Sequence, residues 1–269
     1  MRRFFVVIIL ALAACAVPSA VVVQTPDLAA DGFEPQTLTV FAAASLTNAF
    51  GEIGQNFEAA NPGVKVRFNF GGSQTLRTQI EQGADADLFA PANKKELDVL
   101  IEAKMVLTDS VQTFLTNQMV VVMPASNPAG LTELADLALP GLKLVLAAKE
   151  VPAGNYALQV LDSLDANLGD GFKDRVLANV VSYENDVKQV VAKIQLGEAD
   201  AALVYVSDTA ASPDLKMIEI PAENNVIAQY PLAVLTQTRY PALARAFAAY
   251  VLSPEGQSVL ANWGFLPVK

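Results

Sequence analysis

From Leu38 onward, short β-branched runs alternate with amphipathic stretches, a pattern typical of folds in which helices connect the strands of a sheet. A predicted strand at residues 38–42 leads through Ala43-Ala44-Ser45 into a helix. The apolar face of this helix runs from Leu46 to Phe57 in steps of three and four residues. Two similar units follow, with strands at 64–70 and 87–90 and helices at 74–82 and 94–103. The sequence therefore predicts an α/β fold with largely parallel sheets.

The same alternation continues beyond residue 117, where the chain is predicted to enter a second lobe. Strands are predicted at 119–123, 142–147 and 201–205, and helices at 131–137, from 155 onward and at 187–196. The apolar run 231–235 and helices at 243–252 and 256–263 are predicted to return to the first lobe. The predicted first lobe thus comprises residues 37–117 and 231–269, and the second comprises 118–230, with one ligand cleft between them.

The amino terminus has the order of a secretory signal peptide, predicted at residues 1–14. Arg2 and Arg3 precede an apolar run that is too short to span a bilayer. The run ends in Leu12-Ala13-Ala14-Cys15, which resembles the lipobox of bacterial lipoproteins. Cys15 is therefore the predicted lipidation site, and the alternative is an ordinary signal peptide that contains a cysteine. Residues 15–36 would then be the lipidated cysteine and a tether, anchoring an exported protein that faces the periplasm or the cell exterior.

Composition excludes several classes of function. Removal of residues 1–14 would leave 16 basic against 28 acidic residues, a net charge of −12, which argues against nucleic acid as a partner. The sequence has no histidine and a single cysteine, so neither a disulfide framework nor an ordinary zinc site is expected. A Ser-His-Asp hydrolase is impossible for the same reason. Any anion site must depend on local donors rather than on the overall charge.

Two predicted strands end in small residues followed by a serine, in Ala43-Ala44-Ser45 and Gly71-Gly72-Ser73. A serine there can cap the helix, while the first-turn N–H groups and the helix dipole favour an anion. Two such helix starts at strand ends indicate an anion site rather than two caps. Pro152-Ala153-Gly154 is a possible third cradle of this kind. Tyr205, at the end of a buried strand, is either a hydroxyl donor or a core tyrosine.

Together these segments resemble the periplasmic molybdate-binding proteins of ABC transporters. The resemblance covers residues 38 to the carboxyl terminus and rests on the order and spacing of five segments: Ala42-Ala43-Ala44-Ser45-Leu46, Phe68-Asn69-Phe70-Gly71-Gly72-Ser73, the stretch 79–89, Val151-Pro152-Ala153-Gly154-Asn155-Tyr156-Ala157, and the stretch 197–205. It implies a two-lobed type II periplasmic-binding-protein fold that closes over a dehydrated tetrahedral oxyanion, molybdate or tungstate. It also implies a monomer that docks on an ABC permease and its ATPase.

Carried over residue by residue, the resemblance implies five ligand-binding residues. The hydroxyl and backbone N–H of Ser45 and Ser73, the backbone N–H of Ala153 and Val187, and the phenol hydroxyl of Tyr205 would bind the oxyanion. Metal enters only as the molybdate oxyanion at these residues, and no cofactor is implied. The turn at Gly71-Gly72-Ser73 departs from family members that have a second serine. Asp186 and Glu184 leave open an octahedral coordination of the kind used by some related tungstate and molybdate binders.

Three other interpretations remain. The ligand could be another oxyanion, such as sulfate, or a small carboxylate. A serine hydrolase with a lysine base, Lys94 or Lys149, is a remote alternative, since neither serine has a Ser-x-x-Lys spacing. A structural surface lipoprotein would show no ligand-dependent closure.

Overall fold

The computed structural model describes residues 36–210 and 212–268, which form two five-stranded sheets covered by helices. The predicted signal peptide, Cys15 and nearly all of the predicted tether lie outside the described residues. Ten strands are present in the described part of the chain: β1 (Gln36–Ala43), β2 (Val64–Gly71), β3 (Leu88–Ala90), β4 (Gln112–Asn117), β5 (Met119–Pro124), β6 (Leu144–Ala147), β7 (Val180–Glu184), β8 (Ala201–Tyr205), β9 (Leu215–Glu219) and β10 (Ala228–Val234).

Nine α-helices occur within the same described ranges: α1 (Thr47–Ala60), α2 (Ser73–Glu81), α3 (Lys94–Glu102), α4 (Pro152–Leu168), α5 (Phe172–Ala178), α6 (Val187–Gln195), α7 (Val206–Ala210), α8 (Pro241–Leu252) and α9 (Pro254–Asn262). The helix predicted at 131–137 is wrong, because only a 3-10 turn forms there, at Leu134–Ala138. Pro140 and Gly141, the latter with φ of 86°, follow almost at once and leave no room for a longer helix.

The two sheets share one strand pattern. The first has the order β2-β1-β3-β10-β4 and the second β7-β6-β8-β5-β9. In each, the first three strands are parallel and the last two pair antiparallel with their neighbours. The sheets are therefore mixed rather than largely parallel as predicted. Parallel neighbours need a crossover helix, whereas β5 and β10 reach their sheets directly from the other lobe.

The chain crosses between the lobes at Gln118, which separates β4 from β5. It returns with β10, which begins at Ala228 and therefore three residues inside the range 118–230 that was assigned to the second lobe. The return was placed too late because Pro231 looks like the start of a strand, whereas it sits at a register shift within one.

The carboxyl-terminal helices α8 and α9 pack on the first lobe. The ring of Phe247 lies 5.2 Å from that of Phe57 and 6.2 Å from that of Phe50, both on α1. The indole Nε1 of Trp263 donates to Glu52, also on α1, at 2.8 Å. None of the helices among the described residues combines the length and the hydropathy of a transmembrane span.

Candidate ligand-binding site

A small cavity is lined by residues of both lobes, and all five residues predicted to contact a ligand line it. The cavity volume open to the centre of a water-sized sphere is about 10 Å³, far below the roughly 300–1,000 Å³ of pockets for drug-sized molecules. In this closed arrangement the cavity has the size of a compact ion and is too small for an amino acid, a sugar or a peptide. The other lining residues are small or apolar apart from one acid: Ala43, Ala44, Gly71, Gly72, Ala92, Val151, Pro152 and Asp186.

The cavity collects helix starts from both lobes. Ser73 and Val187 are the first residues of α2 and α6, and Ala153 is the second residue of α4. First-turn N–H groups have no acceptor within their own helix. Among the described residues, no acceptor outside these helices pairs with the three amides either. Three N–H groups and three positive helix ends thus face one point, and each helix follows the carboxyl end of a strand.

Ser73 does not cap its helix, although capping was the alternative to ligand binding for this residue. Gly72 occupies the N-cap position, and the Ser73 hydroxyl oxygen instead accepts a hydrogen bond from the backbone N–H of Ala92 at 3.0 Å. Ser73 is almost fully buried, with 1% of its surface exposed. Because the Ser73 oxygen accepts the hydrogen bond from Ala92, its own hydroxyl hydrogen is available to donate into the cavity.

Ser45 does not cap a helix either. It lies in a 3-10 turn, Ala44–Leu46, that precedes α1, and no side chain caps that turn or α1. The Ser45 hydroxyl lies 3.0 Å from the hydroxyl of Tyr230, which belongs to β10 and is fully buried. Capping therefore does not explain why either serine occupies its position.

Tyr205, the last residue of β8, has a buried hydroxyl with no hydrogen-bond partner in the described structure. A buried hydroxyl of this kind loses its hydration without compensation, which costs about 1–3 kcal/mol. Burial, and after it the neighbouring Tyr230, raises the pKa of Tyr205 well above its ordinary value. The hydroxyl therefore stays protonated at neutral pH and is a donor awaiting an acceptor in the cavity.

The start of α4 sits directly on the end of β6. A Cβ atom at Gly154 would clash with the carbonyls of Ala147 and Ala148, so only glycine permits this approach. The helix begins at Pro152, three residues before the start at 155 that we predicted, because proline suits the first helical position. This packing brings the Ala153 amide to the cavity.

The single acid that lines the cavity is already engaged. One carboxylate oxygen of Asp186 caps α6 by accepting from the backbone N–H of Gln189 at 3.0 Å, and the other accepts from the Gln189 side chain at 2.7 Å. Glu184 lies 3.5 Å from the ammonium of Lys193. No lysine or arginine lines the cavity, and the described residues contain no group of three or more His, Cys, Asp or Glu that could hold a metal ion.

An ion pair between a buried aspartate and a partly exposed lysine lies next to Tyr205 in the second lobe. The Asp208 carboxylate is fully buried, accepts from the Tyr205 backbone N–H at 3.2 Å, and lies 3.0 Å from the ammonium of Lys188. Burial raises the pKa of Asp208, and Lys188 opposes that rise. Lys188 follows Val187 directly, so the pair joins two elements of the candidate site.

Two contacts cross the cleft beside the cavity. The Gln74 side-chain amide donates to the carbonyl of Asn185 at 3.3 Å. Gly72 approaches the same carbonyl so closely that a Cβ atom there would clash with it. The first and second lobes are therefore in contact over the cavity, and the described structure is closed.

Sequence reasoning missed two residues of the site. Ala92 presents only a backbone N–H, which no sequence pattern marks. Tyr230 lies far from Ser45 along the chain, and its one signal was a tyrosine in an otherwise apolar run next to the predicted return at 231.

The comparisons with known proteins agree with this architecture. The molybdate-binding protein ModA of Mycobacterium tuberculosis is 40% identical over 231 residues, which cover 86% of this chain and 84% of that protein. The ModA of Escherichia coli is 34% identical, over 85% of this chain and 88% of that protein. A Clostridium difficile structure, assigned as the substrate-binding domain of a molybdenum ABC transporter, matches with a TM-score of 0.67 at 32% identity, covering 87% of this chain and 99% of that one. The family model for bacterial extracellular solute-binding proteins matches residues 38–266, and the chain belongs to that family.

Proposed function

We propose that this protein captures molybdate or tungstate between its lobes and delivers it to an ABC importer. The observation that carries the proposal is the buried, unpartnered hydroxyl of Tyr205 in a compact cavity that three helix starts face. Two relatives that are 40% and 34% identical to this chain are molybdate-binding proteins, which supports the choice of ligand. As a member of a solute-binding family, the protein is a binding protein and not an enzyme.

Neutral donors are sufficient to hold a dianion here. The hydroxyls of Ser45, Ser73 and Tyr205 would replace water around its oxygens, together with the amides of Ala153 and Val187. The helix dipoles place partial positive charge at the same point. Such a site needs no lysine or arginine, which agrees with an acidic protein whose cavity lining has neither.

The donor set determines which anions are rejected. A site composed only of donors offers no acceptor to the proton of hydrogen phosphate, so binding would leave that proton unpaired. Sulfate carries no proton at neutral pH and must be excluded by size, because its oxygens lie closer to the central atom. Tungstate and molybdate are nearly the same size and are both expected to bind.

Tetrahedral coordination is favoured over octahedral coordination. An octahedral site would need carboxylate oxygens on the metal. Asp186 already accepts two hydrogen bonds from Gln189, and Glu184 lies beside Lys193.

Calorimetric titration tests the ligand. The protein from Gln36 onward would be titrated with molybdate, tungstate, sulfate and phosphate at neutral pH. We expect one-to-one binding of molybdate and tungstate only, with a large loss in Tyr205→Phe. Binding of sulfate in preference to both metal oxyanions would overturn the assignment.

The hydrolase alternative has no support in the geometry. Lys94 lies in a groove with Gln118 and Leu266, away from the cavity, and the Lys149 ammonium is 3.9 Å from Glu150 on the surface. Neither lysine lines the cavity that holds Ser45 and Ser73.

The predicted anchor forms a separate part of the proposal. A lipid on Cys15 would hold the binding protein, as a monomer, on the outer face of the cell membrane or at a periplasmic surface, near its permease. Expression of the full chain and of Cys15→Ser, followed by membrane fractionation and mass spectrometry, tests it. Recovery of both in the membrane fraction without an acyl mass would contradict lipidation.

A further inference from the structure

Tyr230 lies beside two residues that line the cavity, Ser45 and Tyr205, and its ring is 5.9 Å from that of Tyr205. Its hydroxyl lies 3.0 Å from the Ser45 hydroxyl, both residues are buried, and Tyr230 itself is not part of the cavity lining. Geometry alone allows either oxygen to be the donor. The direction matters, because it decides whether Ser45 presents a hydrogen or a lone pair to the ligand.

The chemistry of the two hydroxyls determines the direction of this bond. A phenol, with an ordinary pKa of about 10, is a much stronger acid than an aliphatic alcohol, so its O–H is the stronger donor and the serine oxygen is the stronger acceptor. In this buried pair, 3.0 Å apart, Tyr230 is therefore the donor and Ser45 the acceptor. Burial keeps the hydroxyl protonated by raising the pKa of Tyr230 above its ordinary value.

We infer that Tyr230 is a positioning residue that donates to Ser45 and thereby commits the Ser45 hydroxyl hydrogen to the ligand. The inference rests on the proposed function and deepens it. In the reverse direction Ser45 would donate to Tyr230 and present a lone pair to the cavity, which would repel an oxyanion and accept the proton of a protonated one. Tyr230 thus acts on Ser45 as the Ala92 amide acts on Ser73. Ser45 becomes a donor through Tyr230, and Ser73 becomes a donor through Ala92. The cavity therefore selects fully deprotonated anions.

A double-mutant cycle separates this role from a structural one. Molybdate and phosphate affinities would be measured at neutral pH for wild type, Tyr230→Phe, Ser45→Ala and the double variant. We expect Tyr230→Phe alone to weaken molybdate binding about tenfold, and to have less than a twofold effect in the Ser45→Ala background. We also expect Tyr230→Phe to reduce the ratio of molybdate affinity to phosphate affinity, because the Ser45 oxygen can then accept a hydrogen bond from the protonated oxygen of hydrogen phosphate. An equal loss in both backgrounds would overturn the inference.

Tyr156→Phe is the matched control. Tyr156 is a partly buried tyrosine whose ring lies 6.4 Å from that of Tyr205, yet it does not line the cavity. We expect the molybdate affinity of Tyr156→Phe to stay within twofold of wild type. A tenfold loss would mean that removing any tyrosine hydroxyl near the cavity weakens binding, which would contradict a specific role for Tyr230. Circular dichroism would verify the fold of each variant.

A second measurement does not depend on any variant folding. In the molybdate complex of the wild type, NMR should show a Tyr230 hydroxyl proton that is protected from exchange and close to the Ser45 side chain. A Tyr230 hydroxyl proton that points away from Ser45 would overturn the inference. Failure of the wild type to bind any of molybdate, tungstate, sulfate and phosphate would overturn the proposed function itself, whereas binding with an additive cycle would overturn only the role of Tyr230.

Discussion

Gly72 in the first lobe lies directly against the main-chain carbonyl of Asn185 in the second. A Cβ atom at Gly72 would meet that carbonyl and would also lie 2.6 Å from the side-chain nitrogen of Gln74, closer than real contacts allow. At Gly71, by contrast, a Cβ atom would meet only Leu76, at 3.5 Å. A serine in this turn is therefore tolerated at position 71 and excluded at 72 as long as the lobes close in this way.

Gly72→Ala should hold the cleft partly open. A rigid carbonyl cannot move aside as a flexible side chain would, so overpacking of about 1–3 kcal/mol would fall on the closed state, lowering molybdate affinity about tenfold or more. Calorimetry would measure the affinity, and small-angle scattering the radius of gyration with and without ligand. Gly51→Ala, on α1 with no atom within 4 Å of the added carbon, is the control and should bind as wild type does. Equal compaction of both variants on adding molybdate would contradict this account.

Loss of the Ser73 hydroxyl should lower both the affinity for molybdate and the stability of the fold. Ser73→Ala removes a donor to the ligand and also leaves the buried Ala92 N–H without an acceptor. We expect about tenfold or greater loss of molybdate affinity and a loss of about 1–3 kcal/mol in the free energy of unfolding without ligand. Titration and urea unfolding would measure the two effects. A variant that lost affinity but kept full stability would show that the Ala92 contact is absent in solution.

The positions of the candidate site residues were largely predictable, because ligands of α/β folds bind at the carboxyl ends of strands and small residues mark those ends. Ser45, Ser73 and Tyr205 were found in this way, and the strand that ends at Tyr205 was predicted with its observed bounds. Ala153 and Val187 line the cavity and are proposed to contribute their amides, which carry no side-chain signal. Val187 therefore came from the family resemblance alone.

The side-chain partners were not predictable, because they depend on contacts between distant parts of the chain. Serine after a strand usually caps a helix, yet here Ser45 and Ser73 pair with Tyr230 and Ala92 instead. The mixed sheets were missed for a related reason. Alternating strands and helices indicate crossovers but say nothing of β10, which enters its sheet from the other lobe.

Molybdate affinity should stay constant from pH 7 to about pH 9.5. Backbone amides and serine hydroxyls do not titrate in this range, and burial raises the pKa of Tyr205 above its ordinary value of about 10, so the phenol also remains a donor. A site based on lysine would begin to lose its charge near the upper limit. Titrations at half-unit steps would test this, with Tyr205→Phe expected to be weaker but equally constant. A midpoint within the range would indicate a titrating ligand contact.

Lys188→Met should destabilise the protein and weaken anion binding together. It removes the partner of the buried Asp208 carboxylate, and an unpaired buried charge costs about 3 kcal/mol or more. That charge lies beside Tyr205, so it would also repel an anion in the cavity.

The pH dependence of Lys188→Met identifies the cause. The pKa of Asp208 is already raised by burial in the wild type, and loss of Lys188 raises it further. In the unfolded chain this carboxyl ionises near pH 4, whereas in the folded variant it stays neutral to a higher pH. The loss in the free energy of unfolding is therefore small near pH 4 and grows as the pH rises through the folded-state pKa toward 7.

Urea unfolding of Lys188→Met at both pH values should show this loss of stability at pH 7 and little of it at pH 4. The double variant Lys188→Met/Asp208→Asn should recover most of the stability at pH 7, and a deficit independent of both pH and Asp208 would mean that Lys188 acts through packing of its methylene chain instead.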